Sequence, residues 1–361
     1  YTLPKTLTLG TGSFASADVG KTIEANSGAF VLTATDGSYV ETTAPTSYDQ
    51  VSSGDWSMYG VVYNAADGDL ELSGATINTF DVSTAVYSQS FSVAAQDTGT
   101  QGIAFNTDGT KMFIVGGIND FVYEYSLSTG FDVSTASFVH SFSVAGQENN
   151  PIGIAFNTNG TKMFISGTTG DDVNEYTLST GFDVSTASFV DSFSVAGQET
   201  SPQGIAFNTD GTKMFVLGAD GDDVNEYTLS TGFDVSTSSF VDSFSVAAQE
   251  NIPLGLAFNT DGTKMFVVGA TGDDVNEYTL STGFDVSTAS FVDSFSVAAQ
   301  ETTPYGVAFS ADGSKMFIAG GGNAVYEYSI GITATPTGYQ PVHTTASIDS
   351  TYWTDINSMT A

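Results

Sequence analysis

The segment Gly102-Ile103-Ala104-Phe105-Asn106-Thr107-Asp108-Gly109-Thr110-Lys111-Met112-Phe113 recurs with its first glycine at Gly153, Gly204, Gly255 and Gly306, and every interval is 51 residues. A spacing that never drifts makes each unit one supersecondary block packed on an equivalent neighbour. A period near fifty belongs to propellers and solenoids.

Within one unit, residues 203–208 alternate apolar and small side chains, Asp210-Gly211 is a hairpin signal, and residues 213–218 form a second apolar run. A polar loop, Ala219-Asp220-Gly221-Asp222, leads to residues 224–229. The loop Thr231-Gly232-Phe233-Asp234-Val235-Ser236-Thr237 then leads to residues 240–247. These are four strands, a to d. No window repeats apolar residues at helical spacing, and the Val, Thr, Phe, Tyr and Ser content suits pleated surfaces. Four short antiparallel strands per unit make a propeller blade, whereas a β-helix needs shorter repeats and parallel pairing.

Strand counting sets the blade number. The first repeat element is a lone d strand, residues 87–94, preceded by Phe80-Asp81-Val82-Ser83-Thr84, and the last unit stops after its c strand, Tyr326-Glu327-Tyr328-Ser329. The two fragments complement each other. The expected fold is therefore all-β, a five-bladed β-propeller closed by strand exchange, which leaves no open interior edge.

The repeated polar residues read as blade construction. Lys111, Lys162, Lys213, Lys264 and Lys315 on strand b are expected to face Glu124, Glu175, Glu226, Glu277 and Glu327 on strand c. Gln96 and its equivalents at 147, 198, 249 and 300, with Asp132, Asp183, Asp234 and Asp285, are expected to bond nearby backbone amides in turns.

The formal charge of −34 includes seven basic residues, all lysine. Five of them are committed to the blades, so phosphate contacts and nucleic-acid binding are not expected. Such a surface is soluble and tolerates salt, which screens its self-repulsion, and a saline exterior suits it. There is no cysteine, and the two histidines, His140 and His343, are far apart, so thiolate, zinc-hydrolase and cysteine-nucleophile chemistry is not expected. His140 takes the place of Asp191, Asp242 and Asp293 and reads as an outer-strand residue. No segment approaches the length of a membrane-spanning apolar run, and none resembles a secretory leader, so membrane insertion is not expected. The start at Tyr1 and the end at Ala361 read as those of a piece of a longer polypeptide.

Residues 1–76 lack the period and carry turn signals at Thr11-Gly12, Asp36-Gly37 and Asp67-Gly68, which points to a small β module before the propeller at 77–330. Residues 331–361 are a Pro-containing connector and a segment expected to return to the base, with Tyr352-Trp353 requiring burial. In a blade, the a–b and c–d turns share one face, and the b–c and d–a turns the other. Both chain ends leave at a c–d position, so the opposite face is expected to point away from the flanks. That outer face should collect the paired aspartates Asp171-Asp172, Asp222-Asp223 and Asp273-Asp274. It should also collect the variable positions Gln101, Ile152, Gln203, Leu254 and Tyr305, expected in d–a loops. Varied side chains on a constant frame suit recognition, and free drift of solvent-facing loops accounts for them equally. The aspartate pairs offer oxygen ligands for Ca²⁺, but their order does not match an EF-hand, and solvated loop carboxylates are the simpler reading. No other cofactor is indicated.

With Gly204-Ile205-Ala206-Phe207-Asn208-Thr209-Asp210-Gly211-Thr212-Lys213-Met214-Phe215-Val216 and Val224-Asn225-Glu226-Tyr227-Thr228-Leu229-Ser230-Thr231, residues 80–330 resemble the β-propeller repeats of virion structural and tail-fibre-like proteins of marine bacteriophages. Residues 14–23 and 350–360 are similar to segments of such virion proteins. The resemblance implies a non-enzymatic appendage in a virion or extracellular setting, with other virion proteins or further copies of itself as partners and a host glycan or receptor as target. It transfers no binding residues. Tyr305 is the expected sugar-stacking platform. The repeat also resembles secreted propellers of the lactonase or hydrolase type, which work through a polar or metal cluster in the central channel. A third reading is a purely structural decoration protein.

Overall fold

The computed structural model describes residues 79–331 continuously, together with the backbone of five short strands between residues 22 and 72. The chain divides into two units, of which the larger is Asn78–Ile332. In the other, β1 (Thr22–Ala25), β2 (Gly28–Leu32) and β3 (Tyr39–Thr43) form an antiparallel sheet in that order. Strands β4 (Val61–Tyr63) and β5 (Leu70–Leu72) pair separately. Asp36-Gly37 and Asp67-Gly68 fall between paired strands. Tyr352, Trp353 and the expected return of residues 332–361 lie outside the described residues.

Strand β6 (Val86–Ser92) opens the propeller unit. Blade 1 is β7 (Thr100–Phe105), β8 (Lys111–Gly116), β9 (Phe121–Leu127) and β10 (Ala136–Ser143); blade 2 is β11 (Pro151–Phe156), β12 (Lys162–Gly167), β13 (Asp172–Leu178) and β14 (Ala187–Ser194). Blade 3 is β15 (Pro202–Phe207), β16 (Lys213–Gly218), β17 (Asp223–Leu229) and β18 (Ser238–Ser245); blade 4 is β19 (Pro253–Phe258), β20 (Lys264–Gly269), β21 (Asp274–Leu280) and β22 (Ala289–Ser296). Blade 5 takes β23 (Pro304–Phe309), β24 (Lys315–Gly320) and β25 (Ala324–Ser329), and completes itself with β6. The protein is an all-β, five-bladed propeller. Tyr328 stands opposite Tyr87 and Val325 opposite Phe91, so the first repeat strand closes the last blade. Gly331 N–H donates to Thr84 Oγ1 at 2.9 Å, which ties the two ends of the ring together on the c–d face.

Each junction between blades holds its own hydrophobic cluster. Phe113 of blade 1, for example, packs with Val144, Ile154 and Met163 at the next blade. Strand b is buried beyond its opening lysine because neighbouring blades cover both of its faces. Strand d is the exposed perimeter, bulged opposite strand c near Val139, Val190, Val241 and Val292. A bulge with an aspartate beside it blunts an edge that could otherwise pair with another chain. His140 lies exposed at the aspartate position of blade 1.

The lysine–glutamate pairs differ from the expectation in register and in role. Lys111 stands opposite Ser126, and Glu124 opposite Phe113, so the ions meet diagonally, at 2.7 Å. They also reach the next blade: Lys111 Nζ donates to the Phe182 carbonyl at 2.6 Å, and Glu124 Oε2 accepts from Val184 N–H at 3.0 Å. The same clamp recurs from blade 2 to Phe233 and Val235, and from blade 3 to Phe284 and Val286. Blade 4 reaches Phe80 and Val82, and blade 5 reaches Phe131 and Val133, completing the circle. The gripped phenylalanines have φ between 56° and 59°. A bulky residue held in that region costs of order 1–3 kcal/mol. Its carbonyl is thereby turned onto the lysine, and its N–H onto the carbonyl of the a–b turn glycine, as in Phe131 N–H to Gly109 O at 3.0 Å.

The glutamines also differ from expectation. Tyr125 donates its hydroxyl to Gln96 Oε1 at 3.1 Å, so the glutamine bonds a strand c tyrosine and not a backbone amide; the other four blades repeat this contact. The c–d aspartates do behave as turn residues, Asp132, Asp183 and Asp285 each accepting from the backbone N–H two residues on. Asp234 instead accepts from the Ser236 hydroxyl.

Three outcomes are expected in urea unfolding. Gly204→Ala places a Cβ 2.7 Å from the Leu256 backbone nitrogen of the adjoining inner strand, and overpacking there costs about 1–3 kcal/mol. Gly146→Ala, with nothing within 4 Å, changes little. Glu226→Gln weakens a charge-assisted clamp and lowers stability by about 1.5–3 kcal/mol.

Candidate functional site

Five inner strands converge on the axis. A Cβ on Gly102 would lie 2.4 Å from Ile152 O, and one on Gly153 2.5 Å from Gln203 O, so the recurring glycine is what lets adjacent inner strands approach. The axial cavity holds about 20 Å³ and is lined by Gly102, Ile152, Gly204, Leu254, Tyr305 and their neighbours. That is on the order of one water molecule.

The variable positions therefore do not sit where the sequence placed them. Gln101, Ile152, Gln203, Leu254 and Tyr305 are each the second residue of strand a, not part of the d–a loops. Ile152, Gln203 and Leu254 are buried, with Ile152 and Leu254 lining the axial cavity; Gln101 and Tyr305 are half-buried. Gln203 turns its amide to Ser201. Of the five, Tyr305 presents an aromatic ring at the outer face.

The aspartate pairs are built into b–c turns. Asp171, Asp222 and Asp273 have φ of 48° and accept the N–H of Val195, Val246 and Val297 on their carbonyls. Asp172, Asp223 and Asp274 are half-buried and accept from Asn174, Asn225 and Asn276 at 2.7–2.8 Å. Burial pushes all three carboxyls above the usual aspartate range. Among the described residues, no group of three or more His, Asp or Glu side chains is gathered as a metal site.

Beneath these turns lies a ring of carboxylates that the sequence reading passed over. Asp97, Glu148, Glu199, Glu250 and Glu301 are at most 3% exposed. Each accepts backbone amides of its own d–a and b–c loops. Glu148 takes Asn150 N–H at 2.7 Å and Thr169 N–H at 3.1 Å; Glu301 takes Thr303 and Gly322 N–H, both at 2.9 Å. The signal was an acid directly after each repeated glutamine. These bonds fix the outer loops without a cationic partner, since a carboxylate can be satisfied by amide dipoles alone.

The outer face is not fivefold in chemistry. Where blades 2 to 4 read Asp-Val-Asn at the start of strand c, blade 1 reads Phe121-Val122-Tyr123 and blade 5 reads Ala324-Val325-Tyr326. Blade 5 also replaces the aspartate pair with Asn323-Ala324, preceded by Gly321-Gly322. A Cβ on Gly321 would lie 3.3 Å from Thr303 Oγ1 and 3.8 Å from the Tyr305 ring, and one on Gly322 would lie 2.6 Å from the Tyr326 hydroxyl. Two half-buried tyrosines, Tyr305 and Tyr326, and half-buried Thr303 thus border the glycine loop. In blade 1, Phe121 and Tyr123 stack at 5.9 Å, Tyr123 donates to Asp97 at 3.2 Å, and Ile118 is exposed. Burial pushes the Tyr123 hydroxyl up to about 12. Blade 1 keeps Asp120 in its turn, so the acidic pair is lost in full only in blade 5, beside the half-buried rings of Tyr305, Tyr326 and Phe121. On the perimeter, Phe138, Val139, Phe189, Val190, Phe240, Val241, Phe291 and Val292 form an exposed apolar belt.

No family model matches the chain, and no curated protein matches it in sequence. Among solved structures, it is similar to a functionally unknown protein from Desulfotomaculum acetoxidans at 11% identity, with a TM-score of 0.38 over 61% of this chain. The match spans 62% of that protein's length.

A pH experiment tests the turn assignment. The ionised Asp223 carboxylate is penalised by burial in the folded state, so its cost is present at neutral pH and vanishes as pH falls through its raised pKa toward the ordinary value of 3.8. Asp223→Asn keeps the acceptor for Asn225. It is expected to melt higher than the native chain at neutral pH, with the difference shrinking on acidification in thermal scans.

Proposed function

We propose that the chain is a non-enzymatic structural component of a bacteriophage particle, a tail or surface-fibre element in an extracellular setting. In this reading, its outer face contacts a host-surface glycan or receptor. The observation that carries the proposal is the break in symmetry: a repeat that is otherwise nearly invariant loses its aspartate pair in blade 5, keeps only Asp120 of it in blade 1, and leaves Tyr305, Tyr326 and Phe121 there. Aromatic faces stack on sugar rings, and the surrounding carboxylates keep phosphorylated polymers away.

Three further observations support this reading. The loops are pinned from below by buried carboxylates, so a contact surface built on them is ordered before binding and loses little entropy. The axial channel is lined by glycine, aliphatic residues and Tyr305, with no ionisable cluster and room for about one water, whereas a hydrolase working at the axis needs a polar cluster and space for substrate. The perimeter belt of Phe and Val suits contact with further copies of the chain or other virion proteins. The sequence resemblance to marine phage tail-fibre-like repeats supplies the biological setting.

Individual contacts on so shallow a surface are weak, and many copies on one particle would make them effective. A glycan array of bacterial surface polysaccharides, probed with a multivalent form of the full chain, should show selective binding. Tyr305→Ala combined with Tyr326→Ala should reduce it at least about tenfold, the loss of two stacking contacts of about 1–1.5 kcal/mol each. A blank array, or binding indifferent to both tyrosines, would count against the proposal; turnover of lactone or ester panels would favour the hydrolase.

A further inference from the structure

On the opposite face, the a–b turns are stapled to one another around the ring. Thr107 Oγ1 donates to Thr158 O at 3.4 Å, Thr158 to Thr209 O at 3.0 Å, Thr209 to Thr260 O at 3.3 Å and Thr260 to Ala311 O at 3.2 Å. The fifth staple, from blade 5 to blade 1, has no donor, because Ala311 has no hydroxyl. Blade 5 departs from the repeat here in three places: Ser310, Ala311 and Ser314 stand where the other blades carry Asn, Thr and Thr. Each change removes side-chain volume. At this junction lies an open groove of about 350 Å³, lined by Gly130, Phe131, Ser310, Ala311, Asp312, Ser314 and Lys315.

The lining carries a matched donor and acceptor. Lys315 Nζ spends two of its three N–H groups on Glu327 at 2.8 Å and Phe131 O at 2.7 Å, which leaves one, and its side chain is 30% exposed. Asp312 Oδ1 receives Ser310 Oγ, Ser314 N–H and Ser314 Oγ at 2.6, 3.0 and 2.8 Å, which leaves Oδ2 to accept. Adjacent ring hydroxyls of a sugar can donate to such a carboxylate while accepting from the ammonium. An anionic ligand would enter against the field of a chain of net charge −34, and a cationic one would meet Lys315. The volume falls at the small end of those used by small-molecule sites.

We propose that the blade 5 to blade 1 junction is a binding site for one neutral sugar ring, held between Asp312 and Lys315 in the space opened by Ser310, Ala311 and Ser314. It is separate from the outer-face surface and does not rest on it. Lys315 belongs to the clamp, so the test fills the groove and leaves the lysine alone.

The experiment is saturation-transfer NMR on the full chain with the methyl glycosides of glucose, galactose and N-acetylglucosamine as probes, at millimolar concentration. At least one glycoside should receive transfer from the native chain and shift the Ala311 methyl resonance. The filling variant is made in a Tyr305→Ala, Tyr326→Ala background, which removes the outer-face stacking contacts. That background alone should keep the transfer and the Ala311 methyl shift; adding Ser310→Asn with Ala311→Thr, which restores the repeat sequence and the missing staple, should lower melting no further and bring transfer down to the level of a non-binding control. In that background, absence of transfer from all three probes, transfer that survives filling of the groove, or transfer with an unmoved Ala311 methyl would each overturn the proposal. If the filling variant fails to fold, Ala311→Thr alone and the methyl shift of the native chain decide the question.

Discussion

The ring depends on one charge-assisted contact made five times. Each lysine and glutamate are joined within a blade, yet both also bind the c–d loop of the next blade, the lysine through a phenylalanine carbonyl and the glutamate through a valine amide. The glutamates are buried and would be costly to leave unpaired in a low-dielectric interface. The clamp supplies the compensation and also holds the left-handed phenylalanine, whose ring covers the glycine of the a–b turn. Because the fourth clamp grips Phe80 and the fifth grips Phe131, the same interaction that joins sequential blades also closes the circle.

A second constraint works at the axis. Inner strands that approach closely enough to exclude a Cβ leave almost no channel, so the centre acts as packed core. Chemistry is displaced to the faces, and there the repeat is interrupted. On the outer face the interruption adds aromatic rings and removes acids. On the other it removes a hydroxyl and opens a groove. Both fall at blades 5 and 1, and blade 5 is the one in which the chain closes on itself.

Much of the fold was legible. The period gave the blade, the orphan d strand gave closure and blade number, and Asp-Gly dipeptides marked the a–b hairpins. The lysines and glutamates were legible as partners, but a pairing scheme confined to one blade could not show that they reach into the next. The candidate site was less legible. Tyr305 was found because it breaks a repeat, whereas Ile152, Gln203 and Leu254 break the same repeat and are buried. Variation along a sequence does not distinguish an exposed position from one that faces a narrow axis. The acids following each glutamine were visible as a pattern, but their role depends on amides contributed by a loop about twenty residues later.

The sequence by itself determined the local structure: strand alternation, turn chemistry and a constant 51-residue interval follow from side-chain preferences that act over a few residues. Tertiary structure decided everything that depends on distance between blades. It set the diagonal, inter-blade reach of the lysines, the width of the axis, the burial of the variable positions and the groove beside Ala311. These are consequences of bringing five nearly equal blades around one centre, where a residue's neighbours come from the next repeat and not from its own.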